Sequence, residues 1–196
     1  MTEEEIKVIL IGESGTGKTS LINAAMGLKF KEHMESTTTN SFSSKKITID
    51  NKDYILNLWD TIGQEKFRSL TKIFVKDSKI VILVYDITRM DSFTELNFWY
   101  KMVHDILGDE PVIGVCGNKQ DLFVKEQVKE EVGKKYAADK NIPFKLTSAK
   151  NPLTFNKFLN ELVTKYIEKT GGISNNGGKD KINLNDNKKR DKKKCC

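Results

Sequence analysis

Gly12 to Thr19 reads GESGTGKT, set between an apolar run, Ile6 to Ile11, and a segment of helical period, Lys18 to Gly27. The spacing fits G-x-x-x-x-G-K-[ST], a loop that leaves a strand and opens a helix. A polyphosphate needs many N–H donors at short range. Glycines let the backbone curve inward, and the helix N-terminus adds unpaired N–H groups and the positive end of its dipole. The candidate phosphate contacts are therefore Ser14, Gly15, Thr16, Gly17, Lys18, Thr19 and Ser20. Lys18 would set a point charge against the β and γ phosphates, and the Thr19 hydroxyl would ligate Mg²⁺. Alone, such residues also make a Gly-rich turn before an ordinary helix; the strand–loop–helix context favours phosphate.

The rest of the chain supplies a matching frame. Phe42 to Asp50 and Tyr54 to Asp60 alternate in polarity and, joined by Asn51-Lys52-Asp53, predict a hairpin. Ile80 to Tyr85 and Val112 to Gly117 are nearly continuous apolar runs, as expected of parallel strands covered on both faces. Ile142 to Leu146 reads as a short last strand. Helical period marks Asp91 to Leu107, with Asp91 as N-cap, then Lys125 to Asp139 and Leu153 to Lys169. Six strands and about five helices in βα alternation predict an α/β fold of the P-loop NTPase kind, a doubly wound six-stranded sheet that is mostly parallel.

Three further motifs end predicted strands. WDTIGQE spans Trp59 to Glu65. Asp60 stands where such a fold holds its metal, directly or through water. Gly63 has an N–H to meet a γ-phosphate, and Gln64 could orient a water for in-line attack. GNKQD spans Gly117 to Asp121. The Asp121 carboxylate can accept hydrogens from N1 and the 2-amino group of guanine. Adenine offers neither and would leave a buried carboxylate unpaired, at a cost of several kcal/mol. Asn118 can brace this loop, and the Lys119 stem can cover the base. TSAK spans Thr147 to Lys150. Ser148 can buttress the base loop, the Ala149 N–H can reach guanine O6, and Lys150 closes the candidate set. Each motif is a common polar turn in isolation. Their order, each at a strand's carboxyl end, carries the reading.

Charge is unevenly spread. Gly171 to Cys196 holds eight Lys/Arg and three Asp/Glu, a net +5, while the other residues carry 25 basic and 24 acidic groups, a net +1. The basic balance belongs to the end of the chain. That weakens a nucleic-acid reading, which wants a basic face on the folded body, and favours an arm meeting an anionic surface. Residues 171–196 are rich in Gly, Asn and Lys and read as a disordered tail after a domain spanning 1–170. No signal peptide and no transmembrane run is evident. Cys116 lies in an apolar run and Cys195 and Cys196 end the sequence, which is not a disulfide framework and suggests a reducing cytosolic compartment.

With these residues in hand, the chain resembles the Ras-like small GTPases and, within them, the Rab branch, from Ile6 to about Lys169. The Rab-like features are GESGTGKTSL, WDTIGQEKFRSLT, YDITRMDSF and the terminal Cys-Cys. The resemblance implies GTP/GDP binding with Mg²⁺ and hydrolysis of GTP. It implies that Thr37 ligates Mg²⁺ when GTP is bound, that Phe30 packs beside the base, and that Phe42, Trp59 and Phe74 form a surface triad read by effectors. It implies geranylgeranyl groups on Cys195 and Cys196; two chains anchor stably where one binds marginally. Partners implied are effectors, an exchange factor, a GTPase-activating protein, a prenylation escort and a GDI-type chaperone. No nucleic acid is expected, nor a stable oligomer. The expected place is the cytoplasmic face of an endosomal or secretory membrane, in exchange with cytosol.

Three stretches depart from that pattern. Thr38 and Thr39 stand where Rabs usually have Ile-Gly, and Thr is stiffer at that point. Ile62 replaces the small residue of DTAGQE, and IFVKDSK, Ile73 to Lys79, replaces the usual YYRGA segment. Slow hydrolysis without a helper protein is expected, because Gln64 is present but no arginine finger in cis is evident. The rival reading is a nucleotide-dependent binding module with negligible turnover.

Overall fold

The computed structural model describes residues 4–32, 37, 41–62 and 68–171. Its strands are β1 (Glu4–Ile11), β2 (Ser41–Ile49), β3 (Lys52–Asp60), β4 (Ile80–Asp86), β5 (Val112–Asn118) and β6 (Phe144–Leu146). They form one sheet in the order β2-β3-β1-β4-β5-β6, parallel throughout except for the antiparallel edge strand β2. The helices are α1 (Lys18–Ala25), α2 (Arg68–Val75), α3 (Met90–Thr94), α4 (Leu96–Leu107), α5 (Glu130–Asp139) and α6 (Pro152–Lys169). The doubly wound, mostly parallel α/β fold expected from the sequence is the one observed.

Both faces of the sheet are covered, which is why the central strands read as unbroken apolar runs. Along β1, Ile6, Val8 and Leu10 point to one core, where α1 brings Leu21 and α6 brings Phe155, Phe158 and Leu162. Ile9 and Ile11 point to the other, with Trp99 and Val103 of α4 and Ala137 of α5. This is the two-residue period of a strand. Each fully buried side chain of this size stabilises the fold by about 1.5–3 kcal/mol.

Local differences have local causes. The hairpin turn is the pair Asp50-Asn51, with φ of 49° and 61°, so Lys52 and Asp53 already belong to β3. Two positive φ values make the tight turn whose twist suits a hairpin. The helix expected from Asp91 divides at Glu95 into α3 and α4. Asp91 is not its N-cap: Arg89 holds that position in extended backbone, and the Asp91 carboxylate is taken by the Arg89 guanidinium. The segment expected as helix from Lys125 ends a short 3-10 turn, Gln120–Lys125, and α5 proper begins at Glu130.

β1 and β4 are neighbours, yet the chain leaves β1 for the α1 face and β4 for the α4 face. That divergence opens a crevice at the strands' carboxyl ends, where ligands of open α/β sheets bind. Gly12 makes the exit possible. It has φ of 147°, and a Cβ there would sit 2.1 Å from the Val84 carbonyl oxygen.

Candidate nucleotide site

A cavity of about 370 Å³ occupies this crevice. Ser14, Gly15, Gly17, Lys18, Thr19, Ser20, Phe30, Thr37, Asn118, Lys119, Asp121, Ala149 and Lys150 all line it. Thr16, Asp60 and Ser148 are buried behind that lining. The four motifs therefore converge on one space. Thr61, Leu122, Lys31 and Glu32 line it too, and the sequence reading did not single them out. Gly63 and Gln64 lie outside the described residues, as do Thr38, Thr39, Cys195 and Cys196.

The phosphate end is built from α1 and its loop. Gly17 caps α1 with left-handed backbone; no side chain caps the first turn and no acid sits in it. An anion thus meets the positive helix end unopposed. Lys18 Nζ donates to the carbonyls of Gly12 and Glu13 at 2.9 Å each. Burial lowers its pKa to about 8, against the pull of Asp60 and Glu13. A bound phosphate would favour the charged form again.

Beside Lys18 lies a set of hard oxygens. Thr19 Oγ1 donates to Asp60 Oδ2 at 2.6 Å and stands 2.7 Å from Thr37 Oγ1. Among the described residues, Asp60 Oδ1 is buried with no hydrogen-bond partner. Burial raises the Asp60 pKa, although the Thr19 hydroxyl and the Lys18 charge pull it down. An orphaned carboxylate oxygen among hydroxyls suits a small divalent cation that keeps part of its water. Thr19, Thr37 and Asp60 are the residues that would hold Mg²⁺. That ion would screen charge on the β and γ phosphate oxygens.

The base end is a braced carboxylate. Ser148 Oγ donates to Asp121 Oδ1 at 2.6 Å, and Lys150 Nζ pairs with Asp121 Oδ2 at 3.2 Å. Burial acts most strongly on Asp121 and works upward, but the Ser148 and Lys150 hydrogen bonds outweigh it and hold the pKa below the usual range. Lys150 Nζ also lies 5.4 Å from the Phe30 ring centroid, so Phe30 closes the same end. Asn118 joins the two ends: its Nδ2 donates to the Thr16 carbonyl at 2.8 Å, and Thr147 Oγ1 reaches its Oδ1 at 3.4 Å.

Two supporting residues went unassigned in the sequence. Asp86, 1% exposed, pairs with Lys119 Nζ at 2.7 Å. The pair holds Lys119 in its left-handed conformation, φ 65°. A carboxylate ending a wholly apolar strand was the available signal. The second, Arg89, donates to the Ser14 carbonyl. Away from the cavity, Phe42 stacks on Trp59 at 5.0 Å between centroids, and Trp59 meets Phe74 at 5.7 Å. Lys7 Nζ lies 4.8 Å from the Trp59 ring, and Phe42 is 55% exposed.

A loop of backbone donors at a helix start, a carboxylate–hydroxyl cation seat and a braced carboxylate at the far end define a P-loop nucleotide-binding protein. The Ras family model matches residues 7–168. The chain belongs to the Ras family and is a small GTP-binding switch protein. Members of that family bind GTP or GDP with Mg²⁺, act as small GTPases, and work through regulators and effectors.

Proposed function

We propose that the chain is a Rab-type switch: a G domain, residues 1–170, carried on a membrane by a prenylated tail, residues 171–196. GTP with Mg²⁺ orders the loops of Thr37 and Gly63; hydrolysis releases them, and effectors in vesicle trafficking respond to the difference. The observation that carries this reading is the meeting, in one cavity, of the Lys18 phosphate loop, the Thr19–Asp60–Thr37 oxygens and the Asp121–Ser148–Lys150 base notch. In hydrolysis, water attacks the γ-phosphoryl group and leaves GDP and phosphate. Lys18 balances the developing charge and Gln64 orients the water.

The Rab branch is supported by the sequence features above and by the contiguous Phe42–Trp59–Phe74 patch on β2, β3 and α2. Its place is the cytoplasmic face of an endosomal or secretory membrane, with an escort for prenylation and a GDI-type chaperone for return to cytosol. Mass spectrometry of cell-derived protein tests the anchor: free thiols at Cys195 and Cys196 in the membrane fraction would refute it. Single-turnover cleavage of bound GTP tests the turnover. We expect it to be slow alone and accelerated by a GTPase-activating extract, and fast intrinsic cleavage would contradict that.

One observation favours a second reading, a nucleotide-dependent binding module with negligible turnover. Ile62 is buried, 4% exposed, beside Thr61, whose hydroxyl donates to the Leu10 carbonyl at 2.7 Å. The start of the second switch is thereby tied to β1 on a bulky anchor. A Gln64→Leu variant separates the readings: it slows phosphate release in an enzyme and changes nothing in a module that does not turn over.

A further inference from the structure

Two ties on the phosphate loop belong to none of its motifs. Arg89 Nη1 donates to the Ser14 carbonyl at 2.8 Å, and a Cβ on Gly15 would lie 3.4 Å from the same nitrogen. The guanidinium is itself fixed, with Nη2 on Asp91 Oδ2 at 2.5 Å and Nε on Asp91 Oδ1 at 3.3 Å. Such a two-point fork is stronger and better oriented than a single charged hydrogen bond. Next to it, Trp99 Nε1 donates to Glu13 Oε1 at 3.2 Å, and Trp99 is fully buried in the core on the α4 face. The α3–α4 segment thus grips Glu13-Ser14-Gly15, the run between the loop's first glycine and Thr16.

The grip has a directional consequence. In a trans peptide the C=O and the following N–H point in opposite directions. The chain has no cis peptide among the described residues. Arg89 draws the Ser14 carbonyl toward itself, so the Gly15 N–H turns the other way, toward the cavity that Gly15 lines. We infer that Arg89 is a positioning residue for the β-phosphate site: it presets the Ser14–Gly15 peptide so that a backbone donor faces the phosphate before nucleotide arrives. The inference rests on the nucleotide reading above. It also locates this arginine as a brace on the loop and not as a group on the reacting atoms. Preset donors cost no reorganisation on binding.

The test uses the full chain loaded with GDP. A half-exposed charge-assisted bond is lost in Arg89→Ala, and GDP release should quicken about tenfold. Affinities for GDP, GMP and IDP then separate a positioning role from a general loosening. GMP lacks the β-phosphate and IDP lacks the 2-amino group of the base. Arg89→Ala should lower the preference for GDP over GMP by the same factor and leave the preference for GDP over IDP unchanged. Arg89→Lys, which keeps one donor without the fork, should fall between, as should Asp91→Asn. GDP release within about twofold of the parent, below the loss of even one neutral hydrogen bond, would overturn the role. So would equal weakening of all three ligands. A parent chain that holds no GDP would remove the nucleotide reading itself, and this role with it; a parent that holds GDP while Arg89→Ala releases it normally removes only the role.

Discussion

Replacing Gly17 with alanine should disable the site through a contact far from it in sequence. Gly17 has φ of 91°, and a Cβ there would lie 2.4 Å from Asn118 Nδ2. That amide cannot simply swing away, because it is buried and donates to the Thr16 carbonyl at 2.8 Å. Positive φ costs a side chain about 1–2 kcal/mol. Displacing Asn118 unpairs a buried polar group, for about 1–3 kcal/mol more. Together these make roughly 2–5 kcal/mol, a large share of the 5–15 kcal/mol by which domains are stable. In urea the unfolding midpoint should fall by about 1–2.5 M, given a slope of about 2 kcal/mol per M. GDP binding should weaken in parallel, since Asn118 joins the phosphate loop to the base loop. In an Asn118→Ala background the clash is absent, so the same Gly17→Ala change should cost only its backbone strain. A Gly17→Ala protein with the parent's midpoint and parent-like GDP affinity would refute the reasoning. Equal costs of Gly17→Ala in both backgrounds would refute the assignment of the cost to Asn118.

Three further outcomes follow from the same geometry. Asp60→Asn should leave the metal-free protein as stable as the parent or slightly more so, because it removes a buried charge that desolvation disfavours. It should also abolish the slowing of GDP release by Mg²⁺, read by adding a chelator; undiminished Mg²⁺ dependence would count against the cation seat. Asp121→Ala should cost several kcal/mol of GDP affinity and erase the preference for guanine over adenine nucleotides, measured by competition. Retained preference would place base selection elsewhere. Burial raises the Cys116 thiol from 9.0 to about 12, outweighing the downward pull of the Thr147 hydroxyl. The unfolded chain therefore releases this proton first, and the stability it contributes is whole below pH 9 and declines from there toward pH 12. At pH 11 the loss is on the order of 3 kcal/mol. Cys116→Ala should flatten the alkaline stability profile by about one proton, and an unchanged slope would sink the assignment.

Much of this was legible beforehand, for identifiable reasons. The apolar runs of β4 and β5 show in sequence because both sheet faces are covered, so no polar alternation interrupts them. Asp121 and Ser148 were readable because each lies in the short loop just past its strand, which ends at Asn118 or Leu146. Less legible was the break at Glu95 between α3 and α4. So was the pairing of Asp91 with Arg89, which leaves Asp91 out of the N-cap; side-chain pairing of that kind leaves no mark on periodicity. The Asp50-Asn51 turn was missed because either of two short polar connections fits the alternation, and only the β2–β3 register chooses between them.

Gly12 to Thr19 needed no tertiary information. A phosphate loop is a contiguous backbone shape, made by glycine spacing and a helix start, and contiguous shapes are written in contiguous residues. What the tertiary structure decided are the meetings between distant side chains. Thr19 reaches Asp60 across 41 positions, Ser14 reaches Arg89 across 75, and Asn118 reaches Thr16 across 102. Parallel register brings them together. With Ile11 beside Leu83 and Asp86 beside Asn118, the carboxyl ends of β1, β4 and β5 lie side by side, and the residues just beyond them share one crevice. No local pattern encodes that register; it is set by the cores on both faces of the sheet.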